Sequence, residues 1–136
     1  MKTSFPKKNS HIPNWYIIDA SHKTLGRLSV EVCNILKGKN LSYFYPSVDQ
    51  GNFVIIINAN KINISGKKPI QKKYYISTQR PGHLKSFLFK DLKMKYPSRI
   101  IEQSIIGMLP KGVLGKKYFH KLFIYNTDQI LYKNFK

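Results

Sequence analysis

Three observations predict an α/β domain. Residues 15–18 are a short apolar run typical of a buried strand, and an amphipathic helical pattern follows them. A second apolar run, residues 53–57, has the continuous hydrophobicity of a central parallel strand that is covered on both faces. A strand, a helix and a second strand in this order build a parallel sheet with a right-handed crossover. We therefore expect helices on both faces of a mainly parallel sheet.

The first helix has the clearest pattern. Thr24 occupies the position of a residue that caps the start of a helix, and Gly38 occupies the position of a left-handed residue that ends one. Between them, apolar side chains recur at helical spacing and define one buried face. These apolar residues are Leu25, Leu28, Val32, Ile35 and Leu36.

The middle of the chain predicts short elements. Residues 61–65 alternate apolar and polar side chains, which indicates an edge strand. Residues 66–73 are predicted to be a basic turn, and residues 74–78 a strand or an extended arm. Residues 80–83, Arg-Pro-Gly-His, have the composition of a loop.

The remaining elements are two longer helices, a short helix and a strand. The apolar pattern predicts one helix over residues 86–96 and a second that Pro97 opens and Pro110 ends. Residues 116–121 suit one or two helical turns, and residues 122–125 a final strand.

The length of 136 residues indicates one domain. We expect a basic N-terminal arm over residues 1–14, a single α/β domain over residues 15–125 and a tail over residues 126–136. No internal repeat or linker divides the sequence.

The charge balance points to a polyanionic partner. The chain has 24 Lys and Arg residues against 6 Asp and Glu, a net charge of +18, which causes self-repulsion in the free protein. The single cysteine, Cys33, excludes an intrachain disulfide and a Cys-based zinc site. No apolar run approaches the length of a membrane span, and residues 1–14 lack the apolar core of a signal peptide. We therefore expect no membrane partner.

The carboxylates and histidines show no spacing typical of an acid/base pair or a metal site. A small enzyme acting on a phosphorylated or nucleic-acid substrate is the alternative, because the first strand, turn and helix are similar to the start of a nucleotide-binding fold. Its glycine-rich phosphate motifs are absent. Two interpretations of this turn stay open: Lys23 and Arg27 hold an RNA phosphate at the helix end, or Gly26 lets the helix approach the sheet.

Lysines beside aromatic side chains are the strongest functional signal. Lysine binds phosphate, the rings can stack on exposed bases, and the acids that would neutralise a merely solvated face are missing. Because Arg is scarce, we favour backbone and shape recognition of RNA over reading of DNA base edges. The predicted RNA-binding residues are Lys23, Arg27, Lys37, Lys39, Lys67, Lys68, Lys72, Lys73, Arg80, Lys111, Lys116, Lys117 and Lys121.

Several short motifs occur in a recognisable order. The first half contains WYIIDA at residues 15–20, KTLGRL at 23–28 and LKGK at 36–39. The second half contains GMLPKG at residues 107–112, the most specific segment, and LGK at 114–116. This ordered set resembles the bacterial-type large-subunit ribosomal protein thirteen family over residues 15–125.

The resemblance implies a three-layer α/β/α fold around a four-stranded, mainly parallel sheet with basic loops and extensions. It implies a non-enzymatic protein with no cofactor and no small-molecule substrate. Its partners would be large-subunit rRNA, which it binds early in subunit assembly, and neighbouring large-subunit ribosomal proteins. The lysines that match the family motifs, and so are implied to face rRNA, are Lys37, Lys39, Lys67, Lys111 and Lys116. Residues 76–83 and 126–136 depart from the family pattern.

Composition also bears on the origin of the chain. Phe, Tyr, Met, Ile, Asn and Lys make up half of the residues, which indicates an A/T-rich genome. With no presequence visible, we expect an organellar ribosome, in a plastid before a mitochondrion, or else the cytoplasm of an A/T-rich bacterium.

Overall fold

A computed structural model describes residues 5–6 and 11–128, and they adopt a mixed α/β architecture. Of the predicted arm and tail, the described parts are therefore residues 5–6, 11–14 and 126–128. In chain order the elements are β1 (Trp15–Asp19), α1 (Leu25–Lys37), β2 (Phe53–Ile57), a 3₁₀ turn (Ala59–Lys61), α2 (Lys68–Gln71), β3 (Lys73–Ser77), β4 (Leu84–Leu88), α3 (Phe89–Lys95), α4 (Pro97–Met108), α5 (Val113–Phe119) and β5 (Leu122–Ile124).

The main sheet has the order β1-β2-β5, and both pairings are parallel. Ile56 of β2 lies between Ile18 of β1 and Ile124 of β5, so β2 is the central strand, as its apolar run predicts. Within residues 5–6 and 11–128 the parallel sheet has three strands, not the four that the resemblance implies. β3 and β4 form a separate antiparallel hairpin.

The hydrophobic core lies on one face of this sheet. Ile18, Val54 and Ile56 belong to that face and pack with buried residues of the helices. On the opposite face, the Trp15 ring stacks on Phe53 with 4.3 Å between centroids. The buried residues of α1, α3, α4 and α5 all join this same core, on the face of Ile18, Val54 and Ile56. The expectation of helices on both faces is therefore not met in the described part of the chain.

Helices α1 and α4 pack side by side in the same direction. The Ser29 hydroxyl of α1 lies 2.8 Å from the Ser104 hydroxyl of α4, and one turn later the Cys33 thiol donates to the carbonyl of Ile105 at 3.8 Å. The carboxyl ends of both helices therefore meet at one end of the molecule, where α4 leads into the GMLPKG segment.

Two predicted elements are wrong. Residues 61–65 do not form an edge strand, because the chain pairs with the segment before α1 only at an isolated bridge between Thr24 and Asn63. The predicted helix over 86–96 begins only at Phe89, because residues 84–88 pair with β3. Pairing between distant segments satisfies backbone groups that a local helical pattern assigns to a helix. The basic turn over 66–73 contains the short helix α2.

A candidate nucleic-acid interface

Basic side chains gather at both ends of α4. Its 12 residues span about 18 Å at 1.5 Å per residue. Helices α2 and α3 pack near its amino end, where Ile70 and Pro97 line one groove. The loop over residues 109–112 follows its carboxyl end. We call the basic residues near these two ends the hairpin group and the loop group. The hairpin group is Lys67, Lys68, Lys72, Lys73 and Arg80, and the loop group is Lys37, Lys39, Lys111, Lys116 and Lys117.

The loop group is held by contacts within the fold. The Lys37 ammonium donates to the carbonyl of Met108 at 2.9 Å, which brings the end of α1 to the start of the 109–112 loop. A Cβ on Gly115 would overlap the carbonyl oxygen of Pro110, so the close return of α5 onto this loop needs glycine. The chain thereby presents Lys111 and Lys116 on a packed segment, and both side chains are exposed.

The hairpin group surrounds α2 and the hairpin. Lys67 precedes α2, Lys73 begins β3 and Arg80 lies in the turn of the hairpin, and all three are exposed. Lys72 is half-buried and its ammonium lies 5.1 Å from the centroid of the Tyr74 ring. This contact leaves the charge of Lys72 unneutralised beside its neighbours.

Lys121 differs from the other predicted residues. Its ammonium donates to Oδ1 of Asp49 at 2.7 Å and to the carbonyl of Gly51 at 2.9 Å. The Lys121 side chain is only 16% exposed. Its contacts tie the loop before β2 to the residue before β5, so Lys121 is the least available of the predicted residues for RNA.

The amino end of α1 is not an open anion-binding site, because groups that could bind an anion there already have partners within the fold. Lys23 forms an ion pair of 2.8 Å with Glu31, and the backbone N–H of Leu25 donates to the carbonyl of Asn63 at 2.9 Å. Thr24 makes no side-chain capping hydrogen bond. Arg27 is exposed one turn further along.

The alternative role for Gly26 is wrong. No atom lies within 4 Å of the position that a Cβ would occupy on Gly26, and the residue is exposed. The glycine therefore does not serve a close approach of α1 to the sheet.

Sequence reasoning missed a further set of basic residues near the hairpin. The set is exposed on β4, α3 and the first turn of α4. Its members are Lys85, Lys90, Lys95 and Arg99. The pattern KDLKMK at residues 90–95, with three lysines around one acid, is the signal that could have found part of it.

Asp19 has a local structural role. The backbone N–H of Ser21 donates to Asp19 and lowers the pKa of that carboxyl, with a further donor from Asn58.

Within residues 5–6 and 11–128, no group of three His, Cys, Asp or Glu residues could hold a metal ion. No helix in the same residues has the length and hydrophobicity needed to span a membrane.

Comparison with known proteins matches residues 13–130 to the ribosomal protein L13 family. The chain belongs to this family. It is 48% identical to large ribosomal subunit protein uL13 of Synechococcus sp. strain CC9311 over 128 residues, covering 94% of this chain and 85% of that protein. The protein of the same name from Thermosynechococcus vestitus is 46% identical over 125 residues, covering 92% and 82%. That from Prochlorococcus marinus strain MIT 9312 is 47% identical over 124 residues, covering 91% and 87%.

Family membership confirms the resemblance drawn from the ordered motifs. It also confirms that the chain is a ribosomal protein rather than an enzyme. The family match extends beyond the predicted domain at both ends, to residues 13 and 130. No comparison tests the individual RNA-binding residues, which stay predictions.

Proposed function

We propose that this chain is a structural constituent of the large ribosomal subunit, which binds large-subunit rRNA through phosphate and shape contacts and supports early subunit assembly. Its further partners are the neighbouring large-subunit proteins. The observation that carries the proposal is the loop group, in which exposed lysines stand on a segment held by Lys37 and Gly115. A preorganised cation loses less conformational freedom on binding phosphate than one on a loose chain.

Charge supports RNA as the partner. Within residues 5–6 and 11–128 the ion pairs are Lys23 with Glu31 and Lys121 with Asp49, so most lysines carry uncompensated charge. A folded protein with a charge of +18 gains from a partner that spreads negative charge over a large surface. The loop and hairpin groups lie toward opposite ends of α4, which is about 18 Å long, and so suit two segments of one folded RNA.

We propose that this ribosome is in a plastid. The similarity to cyanobacterial relatives favours a plastid over a mitochondrion, and the A/T-rich composition is typical of an organellar genome. Sedimentation of plastid ribosomes, followed by mass spectrometry of the large subunit, tests the location. Recovery of the chain from mitochondrial large subunits instead would contradict it.

The rRNA-binding function is tested by a salt titration of the whole chain with an in vitro transcript of its large-subunit rRNA. If about 6–10 phosphates are neutralised, affinity falls by roughly 10³–10⁵ between 50 and 200 mM salt, with the duplex-DNA value as the guide. A flat salt profile, or no binding at 50 mM salt, would refute the electrostatic account.

A further inference from the structure

A pocket of about 330 Å³ lies between the hairpin, α3 and the start of α4. Its apolar wall includes Ile76 of β3, Phe87 of β4 and Tyr96, the residue between α3 and α4. These side chains are 47%, 41% and 53% exposed, so a sizeable apolar and aromatic surface faces solvent. None of them belongs to the predicted RNA-binding residues.

The position of Tyr96 is preorganised. Its backbone N–H donates to the carbonyl of Leu92 at 2.8 Å, and its own carbonyl accepts from the N–H of Arg99 at 3.2 Å. The Arg99 guanidinium lies 4.9 Å from the centroid of the Tyr96 ring. An aromatic ring and a guanidinium held together in this way form a stacking platform that costs little to order.

The rim of the pocket carries three charged groups, Asp91, Lys95 and Arg99. Asp91 makes no ion pair within residues 5–6 and 11–128, although the chain has four times as many cations as acids. An ionised carboxylate only accepts hydrogen bonds, so it suits a ligand with N–H donors. The amino groups on the edges of guanine and cytosine are such donors.

We propose that this pocket receives one unpaired base of the rRNA, which stacks on Tyr96 and donates an amino N–H to Asp91. The inference rests on the proposed function. Charge complementarity favours RNA over an apolar segment of another protein, because the pocket is lined by Lys95 and Arg99 with only Asp91 as an acid. Lys85 adds a further exposed cation, since it pairs with Ile76 across the hairpin. A base can stack on the Tyr96 ring and donate a hydrogen bond to the Asp91 carboxylate. The phosphates on either side of the base can then contact the lysines and the arginine.

The test compares Tyr96→Leu with Tyr96→Phe in the full chain, using the large-subunit rRNA transcript. Leucine keeps an apolar side chain but removes stacking, whereas phenylalanine keeps the ring. We expect Tyr96→Leu to weaken binding by roughly 5- to 150-fold at fixed salt, the range for loss of one stacked base, and Tyr96→Phe to bind like the parent chain. Tyr43→Leu is the matched control, because Tyr43 is 52% exposed in the loop between α1 and β2.

Two further readouts separate stacking from charge. The slope of log affinity against log salt stays unchanged in Tyr96→Leu, because no phosphate contact is removed. Chemical probing of base edges shows one unpaired nucleotide protected by the parent chain and by Tyr96→Phe, and exposed again with Tyr96→Leu. Asp91→Asn weakens the protection of the same nucleotide, since a neutral amide oxygen accepts a weaker hydrogen bond than a carboxylate does.

The outcomes distinguish this proposal from the proposed function. If the parent chain does not bind the transcript, the rRNA-binding function itself fails. If the parent binds but Tyr96→Leu binds equally well with an unchanged protection pattern, the base pocket is wrong and the function stands. If Tyr96→Leu binds rRNA normally but is incorporated poorly into subunits, the pocket receives a protein instead, which also overturns the proposal. Circular dichroism and urea unfolding establish that each variant is folded.

Discussion

The ammonium group of Lys121 and the carboxylate of Asp49 meet at 2.7 Å, and their side chains are only 16% and 25% exposed. The same Asp49 oxygen accepts the backbone N–H of Gly51 at 3.1 Å. The pair thus joins the loop before the central strand to the start of its neighbour β5. A charge that the sequence assigns to RNA therefore serves the fold.

Replacing Lys121 with alanine should lower the free energy of unfolding by about 2 kcal/mol, because a poorly solvated carboxylate loses its charged partner. Urea unfolding followed by circular dichroism measures this. Lys117→Ala is the control, since Lys117 is exposed and makes no ion pair within residues 5–6 and 11–128; it should change stability by less than about 0.5 kcal/mol. Equal effects of the two substitutions would contradict the structural role of Lys121.

Gly115→Ala should destabilise the protein, although alanine is the better helix former. Its Cβ would overlap the Pro110 carbonyl, and relieving such overpacking costs about 1–3 kcal/mol. Gly107→Ala is the matched control, because Gly107 lies in α4 with nothing within 4 Å of its Cβ position. That control should be neutral or stabilising by up to about 1 kcal/mol. The midpoint of thermal unfolding, measured for both variants, tests this prediction. An unchanged midpoint for Gly115→Ala would show that the loop moves away from the added Cβ without loss of stability.

Lys111→Glu and Lys116→Glu should weaken rRNA binding and subunit assembly more than Lys133→Glu. Each substitution changes the net charge by two units, but Lys111 and Lys116 stand on the segment held by Gly115 and Lys37. Lys133 lies outside the described residues, in a stretch without a clear sequence period. Side-by-side binding at one low salt concentration measures the difference. Equal losses for all three would leave only a generic polycation.

The Cys33 thiol should react slowly with disulfide reagents in the native protein. Burial raises its pKa, with a smaller opposing effect of Lys37, so at pH 8 the native protein holds less of the reactive thiolate than a free thiol does. Unfolding in urea should restore rapid reaction. A native rate equal to the unfolded rate at the same pH would show that Cys33 is accessible.

Local patterns predicted most of the long elements. The first helix lies between Thr24 and Gly38 as its period predicts, and Gly38 has the expected positive φ of 73°. Pro97 opens α4 as expected. These features depend on the periodicity of apolar side chains and on the restricted backbone of proline or freedom of glycine, which belong to the residues themselves.

Pairing between distant residues decided the rest. Residues 84–88 became a strand because β3 offered hydrogen-bonding partners along their whole length. Residues 61–65 did not, because they pair with another segment only at the bridge between Thr24 and Asn63. A helical period does not reveal a partner strand, since the pairing energy arises between segments.

For the functional site as well, part could be predicted from the sequence and part depended on the fold. By itself, the sequence determined the class of protein: its ordered motifs identified the family, and its charge indicated a polyanionic partner. Only the tertiary structure separated the lysines, because Lys111 stays exposed while Lys121 is directed to Asp49. It also brought Tyr96, Phe87 and Asp91 to one pocket. Charge and motif are properties of the chain, whereas availability for a ligand depends on which neighbours the fold places beside each group.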